Sequence, residues 1–245
     1  GDDQDAGTLY CNGPSGTAEN GEDCDDPLNT ISPAEVEVCD DGLDNDCSGD
    51  APECGLTGDN SVGSATYSMS GKSSYDYMGR RVAVADVNGD GNDDVFAGAY
   101  SNDDNGSSSG TVYGAYGPLS GATTYSSADW TGAGDSSSDY YGFDVEKAGD
   151  LNADGYDDII VGAYGEDDNG SSSGTAYLYL GSASGLSTDA AVELTGANAG
   201  DYLGYTVTGL GDVSGDTGDD FAVGAYGNDD SASSAGAVYI WFGVP

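Results

Sequence analysis

The sequence has no histidine and only four cations, Lys72, Arg80, Arg81 and Lys147, against 45 acidic residues, so its 245 residues carry a formal net charge of −41. The missing imidazole removes the commonest general base, the commonest transition-metal ligand and the ordinary pH switch near neutrality, which argues against a hydrolase and leads to the expectation that the chain is not an enzyme. Four cations cannot build a phosphate-binding stripe, so neither nucleic acid nor an anionic membrane surface is an expected partner. Long apolar runs are also missing. None approaches the ~20 residues that a helix needs to cross a bilayer, and no membrane span is expected. A charge of one sign at this level repels itself and opposes compaction, so bound cations or high salt are expected to form part of the folded state. The chain begins with Gly rather than Met and shows no signal-peptide pattern, which reads as a processed or excised form.

What is present in abundance is glycine, with 42 residues, and tyrosine, with 18, a composition of short strands and tight turns. The stretch Asp86-Val87-Asn88-Gly89-Asp90-Gly91-Asn92-Asp93-Asp94 recurs 64 residues later at Asp150 to Asp158 and, altered, 62 residues after that at Asp212 to Asp220. Oxygen side chains at positions 1, 3, 5 and 9, a backbone carbonyl at 7 and a turn-forming Gly at 6 suit a hard divalent cation. The ligand sets are Asp86, Asn88, Asp90, Asp94 with the carbonyl of Asn92; Asp150, Asn152, Asp154, Asp158 with that of Tyr156; and Asp212, Ser214, Asp216, Asp220 with that of Gly218. A solvated acidic turn would use the same residue types. Three copies in register, each followed by an apolar run and Gly-Ala-Tyr, favour calcium. In the third copy Thr217 replaces the Gly of position 6, and a distorted or weaker site is expected there.

Each copy sits in a unit with the same order of parts. A short strand (65–69, 128–131, 191–194) leads through a polar loop ending in Asp-Tyr to a second strand, and the acidic loop joins that strand to a third (95–100, 159–164, 221–226). A Ser-rich loop then turns into a fourth (111–116, 175–180, 237–242). Four strands per ~60 residues describe propeller-type blades. These residues carry a resemblance to the FG-GAP repeat of integrin α-chain β-propellers: Met78-Gly79, Tyr141-Gly142 and Leu203-Gly204 stand for Phe-Gly, Gly-Ala-Tyr stands for Gly-Ala-Pro, and the acidic loop lies between them. The resemblance implies three four-stranded blades (about 65–127, 128–190 and 191–245), a calcium ion in each, and an extracellular or cell-surface setting. Three blades do not close a ring, so exposed edges and faces are expected to drive association with other chains, including head-to-tail filaments.

Residues 1–58 form a separate, core-poor module containing all five cysteines, Cys11, Cys24, Cys39, Cys47 and Cys54. The clustering points to disulfides and an oxidising compartment, with one thiol left free or bonded to another chain. Its acidic residues surround the cysteines, and the segment resembles the MopE-type metal-binding motif. That resemblance implies metal ligands at Asp23, Asp25, Asp40, Asp44 and Asp46, which as hard oxygens favour Ca²⁺ over copper. The whole chain is thus expected to be all-β: three blades preceded by a small, loop-rich, disulfide- and metal-stabilised module.

Gly106-Ser107-Ser108-Ser109-Gly110 and its copy at 170–174 match a nucleophile pattern, but with no histidine and no strand-to-helix elbow they read as turns. Asn105 and Asn169 head N-glycosylation sequons in these same loops. The leading expectation is a secreted, calcium-binding structural or adhesive glycoprotein that self-associates. The alternatives are a recognition module binding glycan or protein through its loops, and an accessory region of a larger enzyme.

Overall fold

The computed structural model describes Ala65 and residues 67–244. The chain divides into two compact units, Gly1–Ala65 and Thr66–Pro245. The expectations about the cysteines and about Asp23, Asp25, Asp40, Asp44 and Asp46 fall outside the described residues.

The second unit is built from thirteen described strands and one short 3-10 turn: β1 (Tyr67–Ser70), β2 (Val82–Ala85), β3 (Asp94–Ala99), β4 (Thr111–Ala115), β5 (Gly121–Thr124), the turn Tyr125–Ser127, β6 (Trp130–Ala133), β7 (Asp144–Gly149), β8 (Asp158–Ala163), β9 (Thr175–Tyr179), β10 (Val192–Thr195), β11 (Leu203–Gly211), β12 (Asp220–Ala225) and β13 (Ala237–Trp241). They form sheets in the orders β2-β3-β4-β6, β7-β8-β9-β10 and β11-β12-β13, with β1 paired to β5 as a separate two-stranded ribbon. All pairings in the three larger sheets are antiparallel, whereas β1 and β5 run parallel.

These sheets correct the expected grouping of strands. β6 opens the second sequence unit but pairs with β4 of the first, Thr111 opposite Ala133 and Gly114 opposite Trp130. β10 in the same way completes the second sheet, Thr175 opposite Thr195. Each four-stranded sheet therefore takes its outer strand from the unit that follows. The third sheet, expected to have four strands, has three among the described residues.

Hydrophobic patterning explains the stacking. β8 is buried along its whole length because both of its faces are covered. Ile159 and Val161 join Val87, Phe96, Val112, Trp130, Tyr141, Val145 and Tyr179 between the first and second sheets. Ile160 turns the other way, joining Ala176, Leu178, Val207, Phe221 and Val223 between the second and third. A strand buried on both faces reads as a continuous apolar run, as Ile159-Ile160-Val161 does. Two side-chain bonds lock the first core: the Tyr141 hydroxyl donates to that of Tyr179 at 2.7 Å, and the Trp130 indole N–H to the Ser187 carbonyl at 2.8 Å.

Candidate metal centres

The three acidic loops join β2 to β3, β7 to β8 and β11 to β12, so they lie together at one end of the stacked sheets. Their side chains fold the loops locally. Asp86 accepts from the backbone N–H groups of Gly89 (2.8 Å), Asp90 (3.2 Å) and Gly91 (3.0 Å), and Asn88 and Asp90 each accept from the residue two positions on. Asp150 repeats this with Asp154 and Gly155, and Asp212 with Gly215, Asp216 and Thr217. Short polar side chains capturing their own backbone are the ordinary means of holding such a turn.

The ninth residue does a different job. Asp94, Asp158 and Asp220 are fully buried. Each takes one N–H from position 2 of its own loop (Val87, Leu151, Val213) and one from the residue two positions beyond the following strand, β4, β9 or β13 (Gly117, Gly181, Gly243), at 2.8–3.1 Å. Burial raises the carboxyl of Asp94 and pushes that of Asp158 up to about 6. The third loop keeps the turn around its first Asp but differs at position 3: Ser214 donates its N–H to Asp220 at 2.8 Å and its hydroxyl to Asp212 at 3.4 Å, where Asn88 and Asn152 accept from position 5. At position 6, Thr217 holds φ +86° where Gly91 and Gly155 hold +85° and +91°. A β-branched residue is strained in that region.

The donor set of each loop, carboxylates with one amide or hydroxyl oxygen and no nitrogen or sulfur ligand, fits a hard divalent cation. Among the described residues the acidic group whose ligand atoms all lie within 4.8 Å of one another is a different one, Asp135, Asp139 and Glu166. In the flanking units the counterparts of Asp139 and Glu166 are Asp76 with Asn102 and Asp201 with Asn228, where the amide donates to the carboxylate at 3.4 Å. The central unit places two buried carboxylates face to face instead. Burial, then the charge of Asp139, pushes the Glu166 carboxyl up to about 7, although the Tyr177 hydroxyl donates to it at 3.2 Å.

This cluster escaped the sequence reading, and so did two further features. The first is position 8. The Asp157 carboxylate accepts the N–H of Asp86 at 2.9 Å, and that of Asp219 accepts the N–H of Asp150 at 3.0 Å, so each loop is clasped by the next. The doublets Asp93-Asp94, Asp157-Asp158 and Asp219-Asp220 were the available signal. The second is the use of the scarce cations. Lys72 pairs with Asp104, Arg81 with Asp144 and Lys147 with Asp157, while the Arg80 guanidinium lies 3.6 Å over the Phe143 ring and donates to the Phe143 carbonyl. All four hold one part of the fold to another.

At the opposite ends of β3, β8 and β12 the tyrosines of the Gly-Ala-Tyr steps form a continuous run. Tyr77 stacks on Tyr100 (5.6 Å), Tyr140 on Tyr164 (4.9 Å) and Tyr202 on Tyr226 (5.0 Å), with Phe143 and Tyr205 bridging between pairs. Tyr77, Tyr205 and Tyr226 remain exposed. A cleft of about 190 Å³ beside Leu194, Ala225, Tyr239 and Trp241 lies where Leu203 stands in place of the larger Tyr141, and Asp201 is its one charged lining group. The Ser-rich loops are structural turns: Ser109 donates to the Asn102 carbonyl at 3.1 Å and Ser173 to that of Glu166 at 3.3 Å. Asn105 and Asn169 are exposed, and their amide nitrogens donate to Gly134 and Gly196 at 2.8 and 3.0 Å, bonds that a glycan would disturb.

Residues 78–114 and 148–179 match the FG-GAP repeat. The chain is 35% identical over 170 residues to integrin alpha pat-2 of Caenorhabditis elegans, covering 64% of this chain and 14% of that protein. It is 35% identical over 150 residues to integrin alpha-6 of Gallus gallus (60% and 13%) and 33% identical over 177 residues to integrin alpha-PS2 of Drosophila melanogaster (66% and 12%). The chain thus spans about one seventh of the length of these relatives. Among the described residues no helix is long and apolar enough to cross a membrane.

Proposed function

We propose that this chain is a calcium-stabilised structural or adhesive module of an extracellular surface, performing no reaction, whose stacked sheets associate with further copies. The observation that carries the reading is the threefold recurrence of one loop geometry at one end of the stack, each loop clasped to the next by an Asp at position 8. Side chains at positions 1, 3, 5 and 9 of each loop would hold the ion, and calcium would supply positive charge to a chain carrying −41. The Asx turns hold the loop backbone, and the buried ninth carboxylate ties the loop to the turn after β4, β9 or β13. Likeness to integrin α chains supports a cell-surface, adhesive role, and the same oxygen-ligand argument extends calcium to the first module. The test is to image and sediment the full chain with and without chelator. Calcium-dependent polymers with a raised melting temperature are expected, and an unchanged melting temperature, proteolysis pattern and assembly state would refute the reading.

A second reading rests on the tyrosine run, whose exposed rings suit the flat face of a sugar or a protein side chain. Binding by monomeric protein on glycan arrays or in pull-downs, lost in Tyr77→Ala and Tyr226→Ala, would favour recognition over self-association.

A further inference from the structure

The two internal joints of the stack are built alike, and the chain carries one unpaired half of that joint at each end of its described stack. At the back of each sheet one valine holds the same register position. Val145 and Val207 are 0% and 2% exposed where a preceding sheet covers them, whereas Val82 of the first sheet is 51% exposed. On the front, Ala176 and Leu178 of β9 are 1% and 6% exposed against the third sheet, whereas their counterparts Val238 and Ile240 of β13 are 70% and 53% exposed. The front of the third sheet therefore offers what the back of the first sheet accepts.

The outer strand follows the same logic. Counting back from the Asp-Tyr steps, β1 occupies the place of β6 and β10, the strands that complete the sheet before them. In this structure it lies instead in a two-stranded parallel ribbon with β5, an arrangement that is marginal by itself. The landing site on the other side is already shaped. At the internal joints the incoming loop docks on the Ser-rich loop: Tyr140 and Tyr202 N–H groups donate to Ser108 and Ser172 carbonyls at 3.1 Å, and Gly110 and Gly174 bridge to Tyr141 and Leu203. Ser108 and Ser172 hold φ +55° and +53°, and Ser234 of the third loop holds +49°, with Gly236 at +75° beside Gly110 at +82° and Gly174 at +77°. The donor side is equally set, since Tyr77 at φ +52° matches Tyr140 and Tyr202 at +55° and +53°.

We infer that a second copy of this chain docks head to tail, its β1 leaving β5 to become the fourth strand of the third sheet, antiparallel to β13. The inference rests on the self-association reading and specifies its joint. The register follows from the internal sheets: Tyr67 of the second copy opposite Ile240, Ser68 opposite Tyr239, Met69 opposite Val238 and Ser70 opposite Ala237, with Met78 bridging to Gly236. Behind it, Val82 of the second copy covers Val238 and Ile240, and its Asp93 takes the Asp212 N–H as Asp157 and Asp219 take those of Asp86 and Asp150. Because the contact is heterologous, it repeats from copy to copy, and the rotation at each joint sets whether the assembly closes as a ring or runs on as a polymer.

The experiment uses the full chain with p-benzoylphenylalanine in place of Met69, mixed with an isotopically heavy copy in saturating calcium and irradiated. Cross-links from position 69 to residues 237–241 of the other copy are expected. Val238→Ser combined with Ile240→Ser, both on an exposed face and so compatible with folding, is expected to weaken association roughly a hundredfold or more. Polymers that persist undiminished in that variant, with cross-links mapping elsewhere, would overturn this joint and leave self-association standing. A chain that stays monomeric at high concentration in calcium would overturn both.

Discussion

Exchanging Gly155 and Thr217 between the second and third loops isolates the cost of one backbone angle. Both residues occupy position 6 and hold φ of +91° and +86°. A Cβ built on Gly155 meets nothing within 4 Å, so Gly155→Thr adds left-handed strain without a clash. That strain is about 1–2 kcal/mol for a residue with a side chain, and more for a β-branched one. Against it, losing a glycine removes about 0.5–1 kcal/mol of unfolded-state entropy. The expected net effect is a loss of about 1 kcal/mol in Gly155→Thr and a gain of similar size in Thr217→Gly, each a shift of roughly 2–4 °C for a unit of this length. Urea titration of residues 66–245, in calcium and in chelator, gives both midpoints. If the two exchanges move stability in the same direction, or neither moves it, strain at position 6 is not what distinguishes the third loop. Gly89→Ala is the contrast, because its Cβ would stand 2.7 Å from the Tyr156 ring and adds a clash to the angle.

Further outcomes follow from the same geometry. Adding calcium to a hundred times its dissociation constant should stabilise the unit by about 2.7 kcal/mol per site filled, read as a calcium-dependent melting temperature. Asp157→Ala removes the acceptor of the Asp86 N–H and the partner of Lys147, and should cost about 1 kcal/mol with faster hydrogen exchange at Asp86. Glu166 has a folded pKa raised to about 7 above its ordinary 4.5, so its contribution is favourable below pH 4.5 and is lost as pH rises through 7. Glu166→Gln, restoring the amide found in the flanking units, should raise stability at pH 7.5 and flatten the pH dependence between 5 and 8, checked by denaturation across that range.

The strands and the acidic loops were legible because their causes are local. Alternating or continuous apolar runs, Gly-Ala-Tyr steps and Asx turns announce themselves within ten residues, and the strands given ranges from the sequence differ from the observed ones by one or two positions, while β5, Gly121–Thr124, was not expected. The partner of each outer strand was not legible. Trp130–Ala133 has the same pattern whether it opens its own sheet or closes the previous one, and only the Thr111–Ala133 ladder decides. Position 8 was hidden for the same reason: Asp157 looks like a second copy of Asp158 until the neighbouring loop is placed beside it. Glu166 appeared as one more acidic residue in a chain full of them, and its meaning lies in facing Asp139 where the other units have an asparagine.

The offset between sequence unit and sheet also decides where this chain can be duplicated or cut. A segment copied from the first strand of one unit to the last of the same unit, residues 128–190, would carry β6, which belongs to the first sheet, and leave β7, β8 and β9 without β10. A segment running from the inner strand to just past the borrowed one, from about Arg80 to Gly142, would carry β2, β3, β4 and β6 together and close its own sheet. Insertions of whole units should therefore be tolerated at the loops that follow β6 and β10, and resisted at the seams that the repeats themselves suggest.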